Sequence, residues 1–285
     1  MSLEALYPYP VERMTLSGHD CAYIDQGEGT PLVFLHGFSV NLACFAPVYP
    51  ALAKKRRVIG LDYPGYYLSE KKAGVDYDIP FMARAVCECI DALGLGQAVL
   101  VGSSMGGAVA QEAALTAPEA VSALVLAAPA GFSGRNRLLA SLLPVQRALM
   151  PEKKLLDAMT RRLYDRVPTF MYDKESDFLA DIYRGYDAMG EREDYPMWIG
   201  TLLKMAREVL TVDYRRRAGE IAAPTLIFWG DKDEVLPLQG APMAREAFGT
   251  NVTLEIFTNV GHLPFAERPD DFVELVDGFL SKQGL

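Results

Sequence analysis

A chain of 285 residues, half of them hydrophobic, is long enough for one large α/β domain, or a domain with a sizeable insertion, and can bury a full core. Its formal net charge of −9 sets up a field that repels nucleic acid and anionic membrane surfaces, which excludes a polyanion partner. The four cysteines, Cys21, Cys44, Cys87 and Cys89, lack C-x-x-C spacing and disulfide-scaffold density, and no apolar run approaches the roughly 18 residues that cross a membrane.

In chain order, residues 11–16, the turn Ser17-Gly18-His19-Asp20 and residues 21–25 predict an opening β-hairpin, with His19 a solvent-exposed turn residue. Before it, the amino terminus has no basic stretch leading into an apolar core, so free thiols and a cytoplasmic location are expected. Pro31 then starts Leu32-Val33-Phe34-Leu35, a continuous apolar run that suits a strand buried on both faces. It leads into His36-Gly37-Phe38-Ser39-Val40-Asn41, a loop that a parallel sheet poises at its carboxyl ends, where ligands bind. The Phe38 N–H is a candidate for one half of an oxyanion hole. His36 reads as a brace of this loop rather than as a catalytic base, because Gly37 offers the exposed backbone approach.

Residues 43–54 predict a helix, 58–61 a strand, Asp62-Tyr63-Pro64-Gly65 a turn, and 79–93 an amphipathic helix stopped by Gly94 and Gly96. Cys87 and Cys89 lie two apart on that helix and point to different faces. Residues 98–111, AVLVGSSMGGAVAQ, then read as an apolar strand, a sharp turn and a helix. The turn Gly102-Ser103-Ser104-Met105-Gly106 fits G-x-S-x-G with Ser104 at its centre, and glycines at 102, 106 and 107 leave room around the strained position. Ser104 then stands at the amino end of a helix whose free N–H groups favour developing negative charge, with the Met105 N–H as a second oxyanion donor. A serine hydroxyl needs a neighbouring base, and that base an orienting acid, so a His and a carboxylate are expected downstream.

Residues 123–127 predict another buried strand. From Phe132 to about Ala218 no strand is visible; the period is helical, with breaks at Pro144, Pro151, Pro168 and Pro196. This predicts a helical cap over residues 132–218, inserted into a core formed by 1–131 and 219–285. Met150, Met159, Phe170, Met171, Tyr172, Tyr186, Met189, Trp198 and Met205 read as cap core, and the cap's arginines as solvated helix faces. Strand character returns at 225–229, running into Gly230-Asp231-Lys232-Asp233-Glu234-Val235-Leu236-Pro237. A helix around 242–248, a strand at 252–257, the loop Asn259-Val260-Gly261-His262-Leu263-Pro264-Phe265 and a helix at 269–280 complete the chain. The alternation of apolar strands with helical runs predicts a parallel sheet covered by helices on both faces.

With HGF at 36–38, DYPG at 62–65, GSSMGG at 102–107, WGDKDEVLP at 229–237 and GHLPFAERP at 261–269, the chain resembles the α/β-hydrolase superfamily over nearly its whole length. The resemblance implies an α/β-hydrolase fold, with a mostly parallel, eight-stranded-type sheet and an inserted helical cap. It implies Ser104 as nucleophile, His262 as general base and then acid, Asp233 as the acid that orients His262, Phe38 and Met105 as backbone oxyanion donors, and no metal or organic cofactor. Asp231 competes with Asp233; the superfamily's G-x-x-D-x-x-x-P pattern lands on Asp233. One departure is visible: the superfamily commonly has D-x-x-G-x-G-x-S after the second parallel strand, and Tyr67 here takes the second glycine's place.

Ser104 argues against the dehalogenases and epoxide hydrolases of the fold, which use a carboxylate nucleophile. Carbon–carbon bond hydrolases of aromatic degradation resemble this chain in length, cap and GxSMGG turn. They tend to carry Asn before the nucleophile and Trp after the catalytic His, where this chain has Ser103 and Leu263. The expected activity is therefore that of a serine hydrolase cleaving carboxylic esters of small to medium apolar acids through an acyl-enzyme. Carbon–carbon bond hydrolysis of meta-cleavage products is the alternative, and a ligand receptor with a retained triad is a third, of a different class. The expected partner is a small-molecule ester, with no nucleic acid and no membrane insertion.

Overall fold

A strand that is apolar on every residue must be covered on both faces, and the chain supplies several such runs. The computed structural model describes residues 3–132 and 152–285; the predicted breaks at Pro144 and Pro151, and Met150, fall outside them. Its strands are β1 (Glu12–Leu16), β2 (His19–Gln26), β3 (Pro31–Leu35), β4 (Arg57–Leu61), β5 (Ala98–Ser103), β6 (Val121–Ala127), β7 (Thr225–Gly230) and β8 (Val252–Phe257). They form one eight-stranded sheet in the order β1-β2-β4-β3-β5-β6-β7-β8. β2 pairs antiparallel with β1 and with β4, and every other pairing is parallel. All six residues of β5 and all six of β7 are buried, so both faces of the sheet are covered there.

The helices are α1 (Tyr49–Leu52), α2 (Ile79–Ala92), α3 (Met105–Thr116), α4 (Glu152–Arg166), α5 (Asp177–Gly190), α6 (Tyr195–Thr211), α7 (Gly240–Phe248), α8 (Pro264–Glu267) and α9 (Pro269–Lys282). This is the α/β-hydrolase fold, as the motifs implied. Between β6 and β7 the described residues are helical and contain no strand, and α4 to α6 make up the body of this insert.

Strand order positions the site. From β3 the chain steps to β4 on one side, whereas β5 pairs on the other side of β3 and the sheet then grows through β6, β7 and β8. Where the order reverses, the loops leaving β3 and β5 diverge and open a crevice at the carboxyl edge. Gly106 lets α3 lie close against the end of β3: a Cβ there would stand 1.9 Å from the Leu35 carbonyl oxygen. No larger residue fits without moving α3 off the sheet.

Three local expectations change. Residues 43–54 do not make one helix: a 3₁₀ turn, Leu42–Phe45, is followed by the single turn α1. Pro47 lacks the N–H that would continue the first turn, and the Asn41 side chain instead caps the Ala43 N–H at 3.0 Å. His19 is not a solvent-exposed turn residue. It opens β2, is 2% exposed, and is held by the Ser17 carbonyl at Nδ1 and by the Tyr77 hydroxyl at Nε2, against the edges of Tyr77 and Phe81. In the insert, Met171, Tyr186, Met189, Trp198 and Met205 are buried, but Tyr172 is 49% exposed. All four cysteines are free, and Cys87 is half-buried. No helix among the described residues is long and apolar enough to cross a membrane.

Candidate active site

Ser104 sits at the junction of β5 and α3 with φ 54° and ψ −112°, in the left-handed half of backbone space that costs a residue with a Cβ. Hydrogen bonds hold it there. Its N–H donates to the Ala127 carbonyl at 2.9 Å, and its carbonyl accepts the Ala130 N–H at 2.9 Å. The side chain is thereby presented off the end of the strand, into a cavity of about 480 Å³ at the carboxyl edge. The cavity wall is mostly apolar, including Met159, Leu163 and Phe170 of the insert, with Arg162 and Arg166 of α4 at its exposed mouth. Met159 and Phe170 are thus cavity residues, not only packing of the insert.

His262 lines the same cavity from the loop after β8, and Asp233 stands behind it in the loop after β7. The His262 Nδ1 lies 2.7 Å from Asp233 Oδ2, and both side chains are buried. A carboxylate only accepts, so Nδ1 carries the proton and Nε2 is left as the acceptor. The other Asp233 oxygen accepts the N–H groups of Val235 and Leu236, each at 2.8 Å, so the buried charge is matched. Ser104 and the His262 ring do not hydrogen-bond in this structure; such contacts often tighten only once substrate is bound.

Asp231 has a different position. Its Oδ1 accepts the Asn259 and Val260 N–H groups at 2.6 and 3.4 Å, which ties the loop carrying His262 to the loop after β7. A second brace escaped the sequence reading: Glu267, on α8, accepts the Gly261 N–H at 2.6 Å with one oxygen and the Tyr172 N–H at 2.8 Å with the other. The His262 N–H donates to the Phe170 carbonyl at 2.9 Å. The His262 loop is therefore pinned to the insert as well as to the sheet.

Phe38 lines the cavity, and Met105 directly follows Ser104 as the first residue of α3. The Phe38 N–H has no acceptor among the described residues, and the Met105 N–H opens a helix, where no intrahelical acceptor exists. His36 determines how Phe38 is presented. It is fully buried, and burial pushes its pKa down to about 4, so it is neutral near pH 7. Its Nδ1 lies 2.8 Å from the Gly37 carbonyl, which only accepts, so His36 donates. In a trans peptide the C=O and the following N–H point in opposite directions. Pulling the Gly37 oxygen toward His36 turns the Phe38 N–H away from it. Ser103 also lines the cavity, and its buried hydroxyl has no partner among the described residues. A further cavity, about 600 Å³, lies beside Val40, Tyr67 and Gly185 and contains none of Ser104, Asp233 and His262.

A family model described as alpha/beta hydrolase fold matches residues 30–269. The 2-hydroxy-6-oxo-6-phenylhexa-2,4-dienoate hydrolase of Comamonas testosteroni is 28% identical over 267 residues, covering 92% of this chain and 91% of the relative. The 2-hydroxy-6-oxononadienedioate/2-hydroxy-6-oxononatrienedioate hydrolase 1 of Dechloromonas aromatica is 31% identical over 273 residues, covering 91% and 90%. Among solved structures, an esterase from Exiguobacterium antarcticum superposes with a TM-score of 0.79 at 25% identity, covering 94% of this chain and 98% of that one. With its sheet order, its strand-end loops and this match over most of its length, the chain belongs to the alpha/beta hydrolase fold family.

Proposed function

We propose that this hydrolase cleaves carboxylic esters of small to medium apolar acids, with Ser104 as nucleophile, His262 as base and Asp233 as the orienting acid. The observation that carries the reading is the buried Asp233–His262 pair at 2.7 Å, in the same mostly apolar cavity as a serine held at φ 54°. The Ser104 Oγ attacks the ester carbonyl while His262 Nε2 takes its proton. The carbonyl oxygen becomes an oxyanion between the Phe38 and Met105 N–H groups. The tetrahedral centre collapses, the alkoxide leaves with the proton from His262, and an acyl-Ser104 remains. Water, deprotonated by His262, attacks this acyl group and releases the acid. Asp233 keeps the imidazole in the required tautomer and stabilises the imidazolium.

Carbon–carbon bond hydrolysis is the second reading, favoured by the two relatives whose names state dienoate or dienedioate hydrolysis and which match over about nine-tenths of this chain. The same serine and oxyanion donors serve either reaction, so substrate decides. Initial rates on p-nitrophenyl esters from acetate to laurate, beside one vinylogous 1,5-diketone ring-cleavage product, with Ser104→Ala as blank, separate the two. Ester turnover that the variant lacks supports the esterase; cleavage of the diketone alone supports the second reading; silence on both, with stabilisation by a ligand, supports a receptor.

A further inference from the structure

We infer that Tyr67 and Tyr186 are positioning residues for the Phe38 oxyanion donor, gripping Ser39 from the core and from the insert; this rests on the oxyanion role proposed above. The Tyr186 hydroxyl, on α5, lies 2.7 Å from the Ser39 Oγ. The Tyr67 hydroxyl donates to the Ser39 carbonyl at 2.8 Å. Both rings are 2% exposed and Ser39 is 4% exposed, so no water competes freely for these bonds. Ser39 directly follows Phe38. With the Gly37 carbonyl held by His36 on one side, and the Ser39 hydroxyl and the Ser39 carbonyl held on the other, Phe38 lies between two anchored points of its loop.

Tyr67 stands where the superfamily commonly has glycine, and it adopts φ 34°, a region glycine enters without strain and tyrosine does not. The strain is maintained from outside. Lys71, whose side chain is 1% exposed, donates to the Tyr67 carbonyl at 2.5 Å and to Asp194 Oδ2 at 3.0 Å, at the entry to α6. The Tyr67 ring meets the Trp198 indole at 5.2 Å and 71°, and Tyr186 meets the same indole at 6.1 Å. Phenylalanine would fill that aromatic space equally well. What the two hydroxyls add is a hold on one residue, the neighbour of the donor.

The test keeps the rings and removes the hydroxyls: Tyr186→Phe, Tyr67→Phe and the double variant, assayed on the best substrate of the wild type. Expected is a loss of about tenfold in kcat for each single variant with KM within about twofold, because a misplaced donor weakens the transition state more than the ground state. Affinity for an alkylboronic acid, which forms a tetrahedral adduct on Ser104, is expected to fall in parallel with kcat. Affinity for the product carboxylic acid is expected to hold. Unchanged kcat and boronate affinity, or a loss carried by KM or by thermal stability alone, would make the hydroxyls structural and overturn the inference. A wild type that turns over neither esters nor the diketone and binds no boronate would instead sink the catalytic reading on which it rests.

Discussion

The Ser104 backbone is strained whatever side chain it carries, provided there is a Cβ, so Ser104→Ala leaves that cost unchanged. The expected result is a loss of more than about a thousandfold in kcat with a melting temperature within about two degrees of wild type. Circular dichroism melts beside the rate assay check both halves, and a large drop in stability would mean that the hydroxyl had a packing role. The two aspartates after β7 are separable in the same way. Asp233→Asn leaves the Val235 and Leu236 N–H groups an acceptor but no longer holds the His262 tautomer, so kcat is expected to fall by about three to four orders of magnitude. Asp231→Asn weakens a loop brace formed by two backbone N–H groups and is expected to cost about 1 kcal/mol of stability with kcat within about tenfold. Equal kinetic losses for both would assign the orienting role incorrectly.

Between elements, the Lys71–Asp194 contact ties the insert to the loop after β4 through a buried lysine, which also donates to the Ser69 carbonyl at 3.0 Å. Burial lowers the Lys71 pKa, and although burial pushes Asp194 up, hydrogen bonds from Arg192 and Lys71 hold it down at about 2. Asp194→Asn leaves a buried ammonium without its counter-charge and is expected to cost about 3 kcal/mol, read from urea unfolding. A cost below about 1 kcal/mol would mean that the Tyr67 and Ser69 carbonyls satisfy Lys71 by themselves. Nothing in the sequence marks this pair, since Lys71 reads as one of many surface lysines until α6 is brought against it. The same holds for Tyr186, which is indistinguishable from core packing until Ser39 lies beside its hydroxyl. By contrast, β3, β5 and β7 were legible, because a continuous apolar run has few other places to go. The helix expected over 43–54 failed for a readable reason, the two prolines at 47 and 50, and His19 failed for an unreadable one: Tyr77 and Phe81 reach it from a distant segment.

For the whole molecule, two buried ionisable groups near the crevice pull stability in opposite directions with pH. Burial raises the Asp62 pKa to about 6 against the hydrogen bonds that its carboxylate accepts from Tyr7 and from the Leu42 and Leu68 N–H groups. The folded state therefore binds the extra proton, and the Asp62 contribution is lost as pH rises from about 4 through 6. His36 works the other way: its pKa is lowered to about 4, so the unfolded state binds the extra proton and stability is lost as pH falls from about 6.5 to 4. His36→Asn removes the His36 slope and leaves that of Asp62. The destabilisation of the variant relative to wild type is expected to shrink by about 3 kcal/mol between pH 7 and pH 4. Urea unfolding at several pH values checks it, and a gap independent of pH would mean that His36 is not held neutral. The strand-end placement of Ser104, Asp233 and His262 could be argued from sequence because parallel strands deliver their carboxyl ends to one edge; these buried pKa values could not, since they depend on which side chains the fold packs around each group.

The insert also bears on how the sheet assembles. β6 and β7 pair directly, Leu124 opposite Thr225, yet roughly a hundred residues of chain separate them. That pairing closes the longest loop among the sheet's neighbours, so its entropy is spent before any contact between the two strands returns it. Closure entropy grows only logarithmically with loop length, so doubling the length of the insert adds only about 0.6 kcal/mol to that cost. The segment that walls the cavity is thus also the loop that must close before the half of the sheet bearing Ser104 meets the half bearing Asp233 and His262.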